Sequence, residues 1–166
     1  IETLTLQLRK LGNPSSLHTP GRAVRKDIES AREVIANAVG SLASEVIFTA
    51  SGTEANNSAL KGLYWLGKAA GTNLVVISAI EHHAILDPAQ WLLDHEGAEV
   101  ATIGVDSNGV INLAELADLI PRRGDEIAVI SIMAANNETG VVQPIPGVGK
   151  LTHEHSPPVH CPTVQM

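Results

Sequence analysis

The feature that most restricts the fold of this chain is a pair of short runs rich in β-branched residues, at residues 74–78 (LVVIS) and 127–133 (IAVISIM). Neither run alternates apolar with polar residues, so both faces of each predicted strand are expected to be buried. Segments with the apolar spacing of helices lie between the runs. Buried strands that alternate with helices indicate an α/β fold, in which a mainly parallel sheet is flanked by helices.

The rest of the chain continues this alternation. A helix is predicted over residues 22–39, where apolar residues recur every three or four positions, and Gly40 is expected to end it. Further strands are predicted at residues 45–49, at residues 100–105 and near Val159. Further helices are predicted at residues 53–70, 85–95, 113–120 and from Pro144 to about residue 155.

Composition argues against nucleic-acid and membrane functions. The chain carries 18 acidic and 11 basic residues, a net charge of −7, and only 2% of its residues are aromatic. An extended phosphate backbone would be repelled, and bases would find few rings to stack on, so we expect no nucleic-acid partner. No apolar run approaches the roughly 20 residues that span a bilayer, so we expect no membrane association and a cytoplasmic location. The single cysteine, Cys161, agrees with a reducing compartment.

Polar residues follow three of the predicted strands, where ligands of parallel sheets bind. After the first strand, the small turn Ala50-Ser51-Gly52 and Thr53 begin a helix. Backbone N–H groups at such a helix start can bind a phosphate, although a plain helix cap with Thr53 and Glu54 in the first turn would have the same sequence.

The other two strand ends carry histidines and asparagines. His82 and His83 follow one strand, where an imidazole can stack on a planar ligand or transfer a proton, or can simply face solvent at a helix start. Asn136 and Asn137 follow another, ahead of Gly140. Their amides can bind a ligand's oxygen atoms or can serve the turn alone.

Taken together, these strings resemble the cysteine desulfurases of the class V aminotransferase group, which depend on pyridoxal 5′-phosphate. The matching strings, in the same order, are GNPSSLHTPGR (12–22), VIFTASGTEANN (46–57), AIEHHAIL (79–86) and SIMAANNETGVVQPI (131–145), followed by a degraded form of the family's His-x-Asp-Ala-x-Gln at 160–165. The resemblance runs from about residue 12 to residue 166. It implies that residues 1–166 are part of the large domain of a type I pyridoxal-phosphate fold, with the small C-terminal domain absent.

The resemblance also implies a set of site residues. Gly52 and Thr53 match the family's phosphate-binding turn, and His82 matches the histidine that stacks on the pyridoxal ring and takes part in proton transfer. Asn137 matches an asparagine beside the cofactor, and Gln165 matches the glutamine that binds the ring's phenolic oxygen. No metal site is implied.

Three departures from the family pattern predict that this chain is inactive alone. Pro162 stands where the family has the aspartate that pairs with the pyridine nitrogen. The Ser-x-His-Lys segment whose lysine binds the cofactor covalently is missing from the sequence, and so is the sulfur-accepting cysteine of the family's mobile loop. Cys161 lies inside the degraded aspartate motif, so it is a poor candidate for that cysteine.

The function implied by the resemblance is removal of sulfur from L-cysteine, which gives alanine and an enzyme persulfide for iron–sulfur cluster or thio-cofactor assembly. A homodimer and sulfur-acceptor or scaffold proteins are the implied partners. The alternatives are a selenocysteine lyase and a non-catalytic remnant that binds phosphate compounds or a partner subunit. A metal site built from His153, His155, His160 and Cys161 is a further, weaker hypothesis, because Pro157 and Pro158 interrupt the cluster.

Overall fold

The computed structural model describes residues 2–153 and 157–164, which fall into two compact units divided after Phe48. The first unit contains two helices, α1 (Glu2–Leu8) and α2 (Thr19–Val39), and a short 3₁₀ turn at Ala43–Glu45. Gly40 ends α2 in the left-handed conformation (φ 72°), and its N–H donates to the carbonyl of Ala36. The predicted helix and its glycine stop are therefore confirmed.

The strand predicted at residues 45–49 is wrong. Val46 has extended backbone angles (φ −87°, ψ 117°), but residues 46–49 pair with no strand among the described residues, and Ile47 is 80% exposed. A β-strand needs hydrogen bonds to a neighbour as well as extended angles. The β-rich composition of this segment therefore predicted its backbone conformation and not its pairing.

The second unit is built on four parallel strands, as the apolar runs predicted. They are β1 (Leu74–Ser78), β2 (Glu99–Ile103), β3 (Ile127–Ser131) and β4 (Val159–His160). Their order across the sheet is β2-β1-β3-β4, and every pairing is parallel. β1 and β3 are buried at every position, in agreement with their mainly apolar sequences.

Helices cover both faces of this sheet. The helices of the second unit are α3 (Gly52–Ala69), α4 (His83–Glu96), α5 (Leu113–Arg123) and α6 (Ile145–Thr152). Leu60, Tyr64 and Leu92 of α3 and α4 form one core with residues of β1 and β3 such as Val75. A second core contains Leu116, Ile120 and Val148 of α5 and α6, packed with residues such as Val76, Ile103 and Ile130. None of the helices within the described ranges is long and apolar enough to cross a membrane.

The parallel arrangement brings the carboxyl ends of β1, β3 and β4 to one edge of the sheet. The segments that follow these strands, together with the start of α3, therefore supply the residues of the candidate site.

Candidate functional site

The start of α3 is capped by Ser51. Its Oγ accepts a hydrogen bond from the N–H of Glu54 at 3.1 Å, and the Glu54 carboxylate accepts one from the N–H of Ala50 at 2.8 Å. These two contacts leave the N–H groups of Gly52 and Thr53 without an acceptor among the described residues. The cap is thus Ser51, and the two residues predicted to bind phosphate have free donors at the positive end of a helix dipole.

His82 is fixed at the end of β1 because it caps α4. Its Nδ1 accepts a hydrogen bond of 3.0 Å from the N–H of Ala84, so in this geometry the ring is neutral and Nε2 carries the proton. His83 differs, because its side chain is 80% exposed and pairs with Asp87 one turn along the helix.

The start of α3, the His82 turn and the segment after β4 enclose one cavity of about 180 Å³. The residues that line it are Gly52, Thr53, Asn56, His82, Ala84, Met133, Pro162 and Val164. His82 also borders two neighbouring clefts, of about 660 Å³ and about 270 Å³. The structure therefore brings together three of the residues predicted from the sequence: Gly52, Thr53 and His82.

The two asparagines of the loop after β3 have different environments. Asn136 donates from Nδ2 to the carbonyl of Ile80 at 3.0 Å, and its Oδ1 accepts from the N–H groups of Glu138 and Thr139. Asn136 thus serves the turn. Asn137 is exposed, borders the 270 Å³ cleft beside His82, and makes no hydrogen bond with the described residues. Its predicted role at a cofactor stays a prediction.

The segment after β4 places Pro162 in the wall of the cavity, where it is buried and its carbonyl accepts a hydrogen bond of 2.9 Å from the N–H of Ala134. Burial raises the pKa of the neighbouring Cys161 thiol, and the negative charge of Glu81 raises it further. His160 meets the hydroxyl of Ser131 at 3.0 Å through Nδ1, and burial lowers its pKa. Gln165 lies outside the described residues.

The metal hypothesis gains no support from the residues that the structure describes. No group of three His, Cys, Asp or Glu side chains within them could hold a metal ion. His155, one of the hypothetical ligands, lies outside the described residues.

Sequence reasoning missed Glu81, which is buried in the structure, with only 5% of its surface exposed. Its Oε1 accepts hydrogen bonds from the hydroxyl of Ser78 at 2.8 Å and from the N–H of Met133 at 2.7 Å, whereas its buried Oε2 has no partner. Burial raises the pKa of Glu81 to about 7, against the effect of these two hydrogen bonds. An acidic residue three positions after a buried, mainly apolar strand was the signal that could have identified it.

The donors of the cavity fit part of pyridoxal 5′-phosphate. The free N–H groups of Gly52 and Thr53 suit a phosphate, and the imidazole of His82 lines the same cavity, so these residues fit the phosphate and one face of a ring. The described wall has no carboxylate for a pyridine nitrogen, and Pro162 lies where the sequence resemblance predicts the family's aspartate.

The sequence pattern of the class V aminotransferase family matches residues 2–166. The chain belongs to this family. It is 41% identical over 167 residues to an IscS-like cysteine desulfurase of Mycobacterium tuberculosis (strain ATCC 25618 / H37Rv), and the match covers 99% of this chain and 42% of that protein. It is 42% identical to the cysteine desulfurase IscS of Dictyoglomus turgidum, over 94% of this chain and 38% of the relative.

Solved structures of the family have the same fold. A NifS-like protein superposes with a TM-score of 0.89 at 34% identity, over 99% of this chain and 44% of its own. A structure described as SspA in complex with cysteine superposes with a TM-score of 0.86 at 30% identity, over 97% of this chain and 46% of its own. The parallel sheet with flanking helices is therefore confirmed as a class V aminotransferase fold. The chain spans about two-fifths of the length of the curated relatives reported above.

Proposed function

We propose that this chain is the cofactor-binding part of a cysteine desulfurase, which removes sulfur from L-cysteine to give alanine and an enzyme persulfide. The observation that carries the proposal is the shared cavity between the free N–H groups at the start of α3 and the imidazole of His82. The names of the relatives support the choice of L-cysteine as substrate. Residues 1–166 would then be part of the large domain of such an enzyme.

The first task of the site is to bind a phosphate. The N–H groups of Gly52 and Thr53 would donate to its oxygens, and the α3 dipole would favour its negative charge. The nearby Glu54 carboxylate is also negatively charged. It accepts a hydrogen bond from the N–H of Ala50, which fixes it against the segment that precedes the helix. Asn137 and Gln165 would add contacts to the ring or substrate.

The second task is to orient a ring and hold a proton. When bound, pyridoxal phosphate supplies the electron-withdrawing ring that weakens bonds at an amino acid's α-carbon. His82 would cover one face of that ring. Because Nδ1 is occupied by the Ala84 N–H, Nε2 is the atom from which His82 would donate a proton or to which one would return.

The third part of the proposal is that residues 1–166 alone perform no turnover. No lysine of the described residues lines the 180 Å³ cavity. Lys61 borders the larger cleft, but its Nζ lies 3.9 Å from the centre of the Trp91 ring. Pro162 offers no carboxylate to a ring nitrogen, and the raised pKa of Cys161 disfavours the thiolate that sulfur transfer requires.

A titration of the purified chain with pyridoxal 5′-phosphate tests this function. We expect saturable binding that weakens at least several-fold for pyridoxal, which lacks the phosphate, and no sulfide on addition of L-cysteine. Thr53→Ala removes the hydroxyl of a cavity-lining residue and keeps its N–H, so it should weaken binding in part, whereas Ser58→Ala, which removes an exposed hydroxyl on the same helix, should not. Equal affinity for pyridoxal and its phosphate would contradict the phosphate site, and sulfide production would contradict the inactive state.

A non-catalytic role is the second candidate, and Pro162 is the observation that favours it. A site that binds a phosphate beside an imidazole but lacks a partner for the ring nitrogen would retain ligand or partner-subunit binding without chemistry. Partners such as a second copy or a sulfur acceptor, use in iron–sulfur cluster assembly, the cytoplasmic location and the choice between cysteine and selenocysteine stay predictions. Sulfide or selenide release from this chain joined to the family's lysine- and cysteine-bearing segments, with Pro162 kept and with Pro162→Asp, would discriminate the two candidates: release only from Pro162→Asp would favour the non-catalytic role.

A further inference from the structure

The carboxyl of Glu81 connects the segment after β1 to the segment after β3, beyond the point where the two strands stop pairing. β1 and β3 pair as far as Ile77 and Ser131, and the chain then leaves each strand in a separate loop. Beyond that point, the N–H of Met133 donates to Glu81 Oε1 at 2.7 Å, and Asn136 Nδ2 donates to the carbonyl of Ile80 at 3.0 Å. These two hydrogen bonds tie the turn after β1 to the loop after β3.

The segments joined in this way form two walls of the candidate cavity. His82 follows Glu81 directly and lines the cavity from the β1 side, while Met133 lines it from the β3 side. The Oε1 atom of Glu81 is bonded to the backbone of one wall and, through Ser78, to the strand that precedes the other. The position of His82 relative to Met133 therefore depends on this carboxyl.

The second carboxyl oxygen opposes ionisation of Glu81 and so keeps the pKa of this group high. Oε2 is buried and has no hydrogen-bond partner among the described residues. An ionised carboxylate would leave that oxygen charged and unsolvated, at a cost that protonation removes. No cation within the described ranges is bonded to this carboxyl: His82 is neutral while it accepts from Ala84, and the exposed His83 pairs with Asp87. The other titratable groups near Glu81 are Glu138, which lines the same cleft as Glu81, and Cys161 beyond β4.

We infer that Glu81 is a positioning residue for this cavity: its Oε1 holds the His82 turn against Met133, and this connection tightens when the carboxyl ionises, because a charged oxygen accepts stronger hydrogen bonds. The consequence for ligand binding rests on the proposed function. The raised pKa of Glu81, about 7, supports the inference, because ionisation would then occur near neutral pH.

The test follows the backbone N–H of Met133 by NMR between pH 5.5 and pH 8.5, in the full chain without ligand. Three variants are compared: Glu81→Gln, which resembles the protonated carboxyl in shape; Glu81→Ala; and Glu138→Gln, an exposed carboxylate of the adjoining loop, as control. We expect the Met133 signal to move with a midpoint near pH 7 in the wild type and in Glu138→Gln, and to lose that midpoint in Glu81→Gln.

A second measurement uses pyridoxamine 5′-phosphate as the probe ligand. We expect its affinity for the wild type to rise several-fold as the pH increases through the same midpoint, to change less with pH in Glu81→Gln, and to be weak at every pH in Glu81→Ala. If the role is positioning, Glu81→Gln keeps the low-pH affinity of the wild type at every pH, whereas a packing role alone would leave the pH profile of Glu81→Gln the same as that of the wild type.

Two outcomes would overturn the inference: a Met133 signal without a midpoint in the wild type, or a Glu81→Gln variant that keeps the wild-type midpoint. If Glu81→Ala does not fold, Glu81→Gln and Glu138→Gln decide the question. A wild type that shows the Met133 midpoint but binds no probe refutes the proposed function and leaves the role of Glu81 in the ligand-free chain established.

Discussion

A methyl carbon of Val164 lies 2.8 Å from the position that a Cβ atom would take on Gly52. Gly52 thus lets the segment after β4 approach the start of α3, where the free N–H groups lie. Any side chain at position 52 would push these two walls of the cavity apart or force Val164 to turn away.

The first prediction concerns this contact. We expect Gly52→Ala to reduce the affinity for inorganic phosphate and pyridoxal phosphate about tenfold, which corresponds to about 1.4 kcal/mol, because the added methyl displaces Val164 and alters the N–H cradle. Gly62→Ala is the matched control, since a Cβ there meets nothing within 4 Å. Calorimetric titration would measure both variants, and unchanged binding by Gly52→Ala would contradict the placement of the phosphate site.

The second prediction concerns stability and pH. The pKa of Glu81 is raised from 4.5 to about 7 in the folded chain, so the folded state binds the proton more tightly than the unfolded state. The stabilisation is fully present below about pH 4.5 and is lost as the pH rises through about 7, by roughly 3 kcal/mol.

Urea unfolding at a series of pH values measures this effect. Glu81→Gln should show a smaller decline in the free energy of unfolding between these pH values than the wild type, and Glu138→Gln should decline as the wild type does. Parallel pH profiles for the wild type and Glu81→Gln would show that Glu81 titrates at an ordinary pKa.

The third prediction concerns the cavity wall at Pro162. Pro162→Asp places a carboxylate at the family's position for contact with a protonated ring nitrogen. We expect it to bind pyridoxamine 5′-phosphate about tenfold more tightly than Pro162→Ala does, because a buried charge pair replaces an apolar contact. Affinity for inorganic phosphate should be equal in the two variants. An equal gain for both ligands would mean that the carboxylate acts on something other than a ring.

The fourth prediction concerns the reactivity of Cys161. Burial and the charge of Glu81 both raise the pKa of its thiol, so little thiolate is present at neutral pH. We expect iodoacetamide to modify Cys161 at pH 7.5 at least several-fold more slowly than it modifies the unfolded chain. Glu81→Gln should quicken the reaction modestly, since it removes the second cause of the raised pKa. Reaction at the unfolded rate would contradict the burial of this thiol.

Much of the fold followed from local sequence. The runs at residues 74–78 and 127–133 predicted strands buried on both faces, and both are. The stop of α2 at Gly40 was also predictable, because a helix end in the left-handed conformation is a local event that glycine favours. The prediction of a strand at residues 45–49 was wrong because strand pairing is not a local property: it depends on a partner elsewhere in the chain.

The candidate site was predicted only in part. The order of the motifs predicted that Gly52, Thr53 and His82 belong to one site, and the structure places them around one cavity. The choice of Ser51 as the cap of α3 depends on backbone angles that a string of small residues does not reveal. The separate environments of Asn136 and Asn137 likewise depend on which side chain reaches Ile80 across the site.

By itself, the sequence determined the alternation of strands and helices, the family, and the residue types at the strand ends, because these depend on short-range spacing and on motif order. Only the tertiary structure decided the role of Glu81. Its carboxyl is bonded to the N–H of Met133, 52 residues away, and its second oxygen is buried without a partner. Burial and long-range hydrogen bonds set the charge of such a group, and neither exists until the chain has folded.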